Sequence, residues 1–208
     1  MSESQSSKQV EILGREVCFQ GFFRMERFRL RHTLFAGGWS PVVERELFER
    51  GHAAALLPYD PVRDEVVLIE QFRIGALEAP GGAWLLEIVA GIIELGETPE
   101  EVVRRETVEE AGIEVAEVEP IYDYLVSPGG TSERITLLCG RVDASRAQGI
   151  HGLPHEGEDI RVLAVPFTTA WRWLEEGRID NATPIVALQW LALNRKRLRL
   201  KWGVTPGV

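Results

Sequence analysis

Residues 91–113, GIIELGETPEEVVRRETVEEAGI, decide the reading of this chain. Thr98 is a good helix N-cap, Pro99 suits the first helical position, and Glu101 completes a capping box with Thr98. Gly112 supplies the left-handed residue that ends the helix. Between these marks Glu106 lies three residues before Glu109 and four before Glu110, so all three carboxylates project from one helical face. Like charges packed this way repel, and several divalent cations held by hard carboxylate oxygens are the natural compensation. For any two of these glutamates, a solvated acidic helix is the ordinary alternative.

The 208 residues allow one large or two small domains and a substantial core. A hydrophobic fraction of 45% with 26% charged residues is that of a globular protein, and no apolar run approaches a membrane span. The net charge of −9 argues against nonspecific nucleic-acid binding, which needs a basic surface, although bound metal would reverse the local sign for a phosphate substrate. Cys18 and Cys139 are far apart and outside any metal-ligand spacing. They are expected as buried or inert thiols in a reducing cytoplasm. The polar start, MSESQSSKQ, lacks the apolar segment of a signal peptide and is expected to be disordered. The basic end, NRKRLRLKW (194–202), reads as the close of a terminal helix, with an anionic-surface patch as the alternative.

Outward from the helix, residues 15–35 carry Val17, Phe19, Phe22, Phe28 and Leu30 in a broken strand pattern that Gly37-Gly38 turns back into 42–53. This small antiparallel β subdomain, residues 1–50, is too short to bury a core alone and is expected to pack on something, such as a second subunit. Residues 51–208 form the main domain. AAALLPYDPVRDEVVLIEQF (53–72) holds two apolar strands around a turn. Strand patterns recur at 121–126, at ITLLCGRV and at RVLAVPF, with one long loop, DASRAQGIHGLPHEGED (143–159), between the last two. WRWLEEG and ATPIVALQWLALNRKR, the latter preceded by Asn181, read as helices. Mixed strands with helices on either side imply an α/β/α sandwich.

The pattern of Gly91, Glu97, Arg105, Glu106, Glu109, Glu110, Gly112 and Ile113 resembles the Nudix box, G-x5-E-x7-R-E-U-x-E-E-x-G-U, where U is aliphatic. Eight of nine specified positions match; Thr107 stands where a bulky aliphatic is usual, on the side that packs beneath the helix. The stretches GHAAALLPYDPVRDEVVLIEQFRI, WLLEIVAGIIE, SPGGTSER and GIHGLPHEGEDIRV extend the resemblance to the bacterial ADP-ribose pyrophosphatases of that superfamily. Pro128, 15 residues past Ile113, matches the proline that marks the ADP-ribose branch.

The resemblance implies a Nudix fold and Mg²⁺-dependent hydrolysis of ADP-ribose to AMP and ribose 5-phosphate. Mn²⁺ is a possible substitute, and more than one ion is expected per site. Metal would be held by Glu106, Glu110 and the carbonyl of Ala90, with Glu109 ranked lower. Arg105 would hold Glu97 or Glu109 in place. In the 151–159 loop, the resemblance assigns Glu156 as the base and Glu158 as a further metal ligand, an order that can be exchanged. His151 and His155 are read as polar loop residues. Substrate contacts carried over are Phe22, Phe23, Arg45, Glu46 and Arg50 from a subdomain exchanged across a homodimer. Arg73, Ile92, Ser127, Pro128, Gly129 and Glu133 complete them. The alternatives left open are another nucleoside diphosphate derivative as substrate, or a protein that senses ADP-ribose without cleaving it.

Overall fold

The computed structural model describes residues 8–203, so the expected disordered start falls, up to residue 7, outside the described residues. Two compact units divide the chain. One runs to His52 and takes in Leu125–Arg134; the other comprises Ala53–Tyr124 and the chain from Ile135 onward.

In the first unit, β1 (Val10–Gln20), β2 (Arg24–His32) and β3 (Val43–Glu49) form an antiparallel sheet in that order. Its one deeply buried charge is Glu26, 2% exposed. Arg15 donates to both Glu26 oxygens at 2.9 Å, and Arg24 Nε lies 2.8 Å away. Buried carboxylates persist only when paired this way. The excursion 125–134 attaches to β3, where Phe48 N donates to Gly130 O at 2.8 Å. Cys18 is exposed, at the register slip of β1 on β2 between Val17 and Phe19, and Cys139 is buried.

The second unit is built on a sheet in the order β10-β11-β5-β4-β9-β8. Its strands are β4 (Ala53–Asp60), β5 (Glu65–Phe72), β8 (Glu117–Leu125), β9 (Arg134–Arg141), β10 (Gln148–His151) and β11 (Ile160–Pro166). Two short strands, β6 (Trp84–Glu87) and β7 (Val89–Ile92), pair with β5 and β4. The sheet is mixed, since β4 runs parallel to β9 and antiparallel to β5 and β7. Side chains alternate between the two faces, so each strand feeds two cores. Ala55, Leu57 and Tyr59 of β4, with Val66 and Leu68 of β5, face one cluster. That cluster is closed by α2 (Phe167–Glu175) and α3 (Ala182–Lys201) through Phe167, Ala170, Leu188 and Leu191. Ala54, Leu56, Val67 and Ile69 face the opposite cluster, closed by Val102, Val103 and Ala111 of α1 (Pro99–Ala111). Both faces are covered, which explains why β4 is buried along its entire length.

The predicted stops of α1 are found: Thr98 and Glu101 form a reciprocal capping box, and Gly112 ends the helix at φ 65°. Thr98→Ala should therefore lower stability by about 1 kcal/mol, read as a shift of the denaturant midpoint. An unchanged midpoint would mean that the cap contributes nothing here. Thr107 is fully buried, and its hydroxyl donates to the Val103 carbonyl one turn back, so the polar atom is satisfied within the helix.

One expectation changes. The segment 143–159 is not one loop, because β10 interrupts it and pairs antiparallel with β11. Gln148, Gly149 and Ile150 are exposed on this edge strand, which left no apolar alternation to read. Asn181 precedes α3 as read from the sequence, at its N-cap position, and its Nδ2 donates to the Leu86 carbonyl at 2.8 Å. The basic chain end closes α3 as expected. Arg197 and Lys201 pair with Glu119, while Arg195 and Arg199 pair with Asp64.

Candidate metal and catalytic site

In the second unit, the Glu106 side chain of α1 packs directly on the backbone of β7 at Gly91, where a larger residue would displace it. A Cβ there would lie 2.0 Å from Glu106 Oε1. One residue earlier, Ala90 N donates to Glu110 Oε2 at 3.1 Å. The strand thus fixes two glutamates of the helix, one by contact and one by a hydrogen bond. Arg105 spans the exposed side: Nη1 reaches Glu106 Oε1 at 2.8 Å and Glu109 Oε2 at 3.1 Å, and Nε reaches Glu97 Oε1 at 3.3 Å. Glu97 in turn accepts from Glu94 N at 3.1 Å, which orders the loop before the helix. The expected bracing role of Arg105 is therefore met on both Glu97 and Glu109, and extends to Glu106.

Electrostatics separates these carboxylates. Burial pushes Glu110 up to about 8, and the charges of Glu106 and Glu158 push in the same direction. The Ala90 amide and the Arg73 charge offset this only in part. Glu106 is also raised, first by burial and then, against the pull of Arg105, by Glu109 and Glu158. Among the described residues no three acidic, His or Cys side chains close into a ready-made ligand cage. What the chain does present is a set of hard oxygen donors whose ionised forms are disfavoured by burial and by one another. That donor set fits a divalent metal ion.

The connection between β10 and β11 carries the other acidic candidates. Glu158 Oε2 accepts from Leu153 N at 2.9 Å, while its charge acts on Glu106 and Glu110. Glu156 differs: its side chain is 56% exposed, with His155 Nε2 3.6 Å from its carboxylate. One of the pair is thus held by a backbone amide within electrostatic reach of the helix glutamates, and the other stays available to solvent.

Arg73 donates through Nε to Glu87 Oε2 at 2.8 Å, and the same oxygen accepts from Gln71 Nε2 at 3.1 Å. Neither Glu87 nor Gln71 was among the residues expected from sequence. The available signal was a single carboxylate inside the apolar run WLLEIVAG. Ile92 ends β7, opposite Ala53, with about a third of its surface exposed.

The remaining candidates lie in the first unit. Phe23 packs edge-on against Phe22 and Phe48, with centroids 4.8 and 5.1 Å apart. The Arg50 guanidinium lies 5.3 Å from the Phe23 ring and 3.4 Å from the buried Glu133 carboxylate. Ser127, Pro128 and Gly129 lie in a turn closed by Gly130 N and Thr131 N on the Ser127 carbonyl. Arg45 and Glu46 are not drawn into this group. Arg45 donates to the Glu44 carbonyl, and Glu46, largely exposed, lies 3.6 Å from Arg27. Phe48 is the residue sequence reasoning missed here, since nothing in LFER separates a ring partner from a core side chain.

The NUDIX domain family model matches residues 49–185. The chain is 56% identical over 194 residues, 93% of either chain, to the ADP-ribose pyrophosphatase of Escherichia coli (strain K12). It is 48% identical over 207 residues, 97% of this chain and 95% of the relative, to the ADP-ribose pyrophosphatase of Haemophilus influenzae. Among solved structures, one described as an ADP compounds hydrolase covers 95% of this chain and 97% of its own, with a TM-score of 0.69 at 20% identity. That last likeness is one of fold.

Proposed function

This chain belongs to the NUDIX domain family, and on that premise we propose that it hydrolyses the pyrophosphate bond of ADP-ribose to AMP and ribose 5-phosphate. Mg²⁺, replaceable by Mn²⁺ and bound as more than one ion, is the cofactor of this reading. Glu106, Glu110, Glu158 and the Ala90 carbonyl would hold it. Bound there, such ions neutralise pyrophosphate oxygens and lower the pKa of a coordinated water.

The protein's own groups supply the rest. Glu156 takes a proton from the attacking water, whose oxygen bonds to one phosphorus as the bridging P–O bond breaks. Its exposure supports this role over Glu158, which is tied to Leu153 N. Arg105 holds Glu106 and Glu109 in register. Arg73, with Nε engaged by Glu87, keeps its other nitrogens for a phosphate oxygen. Phe22, Phe23, Arg50 and Glu133, together with the 127–129 turn, are proposed substrate contacts, as are Arg45, Glu46 and Ile92.

The protein is proposed to act as a homodimer that exchanges the N-terminal subdomain. Val10, Ile12, Val17 and Phe19 of β1 are more than half exposed, an apolar surface that a second copy would cover. The exposed free thiol of Cys18 supports a cytoplasmic setting. Among the described residues, no helix is long and apolar enough to cross a membrane.

The observation that carries the reaction is the pair of half-buried Glu106, packed on Gly91, and buried Glu110, which accepts from Ala90 N, both with raised pKa values. Its test is product analysis with Mg²⁺ on ADP-ribose, ADP-sugars, GDP-mannose and NAD. Preferential release of AMP from ADP-ribose is expected. Preferential cleavage of another compound would overturn the substrate, and binding without turnover would make the protein a sensor.

A further inference from the structure

We infer that His151 is a positioning residue that clamps the base of the 152–159 connection onto the C-terminal end of α1. The role rests on the proposed reaction, because that connection carries Glu156 and Glu158.

His151 is the last residue of β10, paired with Ile160 of β11, so the connection begins immediately after it. Its ring fills the space a side chain at position 112 would need. A Cβ on Gly112 would lie 2.3 Å from His151 Cε1, 2.9 Å from Nδ1 and 3.2 Å from Nε2. The ring is held from the other side, with Nε2 3.0 Å from the Gln148 carbonyl, to which it donates in the Nε2-protonated tautomer. Gly112 therefore serves twice, giving α1 a left-handed end and leaving room for an imidazole from the neighbouring strand.

Backbone contacts continue the clamp. Gly152 N donates to Glu109 O at 3.1 Å, which satisfies one of the carbonyls left open at the helix end. Gly152 has φ 97°, and a Cβ there would lie 2.7 Å from Glu158 Cβ, so Glu158 folds back over it. The Glu158 carboxylate then accepts from Leu153 N at 2.9 Å. Consecutive amides thus face opposite ways: that of Gly152 binds the helix bearing Glu106 and Glu110, and that of Leu153 binds Glu158. His151 is the side chain that holds this crossing point against the helix.

The test combines amide exchange on the metal-free protein with steady-state kinetics, using His151→Ala and His151→Phe. In His151→Ala, exchange at Gly152 and Leu153 should quicken roughly tenfold as local opening becomes easier. Its kcat should fall by about 10- to 100-fold, as expected for displaced catalytic groups, with KM for ADP-ribose essentially unchanged. His151→Phe, which refills the space with a ring, should restore most of both. It also serves as the reporting variant if the alanine protein folds poorly. Wild-type exchange at the two amides in His151→Ala overturns the clamp, and so does wild-type kcat. Because exchange needs neither metal nor substrate, it decides the clamp even if ADP-ribose proves not to be the substrate.

Discussion

Glu106→Gln and Glu110→Gln are each expected to lower kcat by about 10³-fold, the scale of losing an anionic ligand that supports several kcal/mol of charge stabilisation. The fold should survive both. Each replacement keeps the shape of a side chain already packed against β7, and in Glu110→Gln the side-chain amide oxygen can still accept from Ala90 N. The metal-free Glu110→Gln protein should in fact be more stable than the parent at neutral pH, because the parent must take up a proton at Glu110 to fold and the glutamine need not.

The sign follows from Glu110. Its folded-state pKa is raised from 4.5 to about 8, so the folded state favours the protonated acid. The resulting stability is fully present below pH 4.5 and is lost as pH rises toward 8, by an amount on the order of a few kcal/mol. The melting temperature of metal-free wild type should therefore fall across pH 5 to 8 relative to that of Glu110→Gln. Added Mg²⁺ should reverse the fall, since a cation compensates the ionised carboxylate. Parallel melting curves for the two proteins over this range would remove the buried charge from the account. Undiminished turnover by Glu106→Gln would remove the metal assignment.

Glu156→Gln should lower kcat by about 10²- to 10⁴-fold, the range for loss of a positioned general base, with little change in the Mg²⁺ concentration needed for half-maximal rate. Glu158→Gln should behave differently and chiefly raise that Mg²⁺ requirement. The distinction comes from surroundings: Glu158 is held by Leu153 N and acts electrostatically on Glu106 and Glu110, whereas Glu156 is more than half exposed. If Glu158→Gln loses turnover at saturating Mg²⁺ while Glu156→Gln keeps it, the two roles are exchanged.

The helix of the box was legible because its signals are local. Thr98, Pro99, Glu101 and Gly112 act within a turn of their own backbone, so their types alone mark start and stop. The apolar strands 53–60 and 65–72 were legible for a related reason, since sheet strands covered on both faces need near-continuous apolar residues. The edge strand 148–151 was not legible, because edge residues bury little and carry no pattern. Glu87 was missed because its role depends on Arg73 and Gln71, residues 14 and 16 positions away in sequence.

The sequence by itself determined the acidic helix, its ends, the sandwich of strands and helices, and through its motifs the family. Those features depend on short-range propensity and on periodic burial. Only the tertiary structure decided how the charges differ. It buried Glu110 against Ala90, left Glu156 in solvent, tied Glu158 to Leu153, and placed the His151 ring over Gly112. Burial and carboxylate environment arise from segments brought together across long sequence separations, and a spacing pattern along one chain carries no record of them.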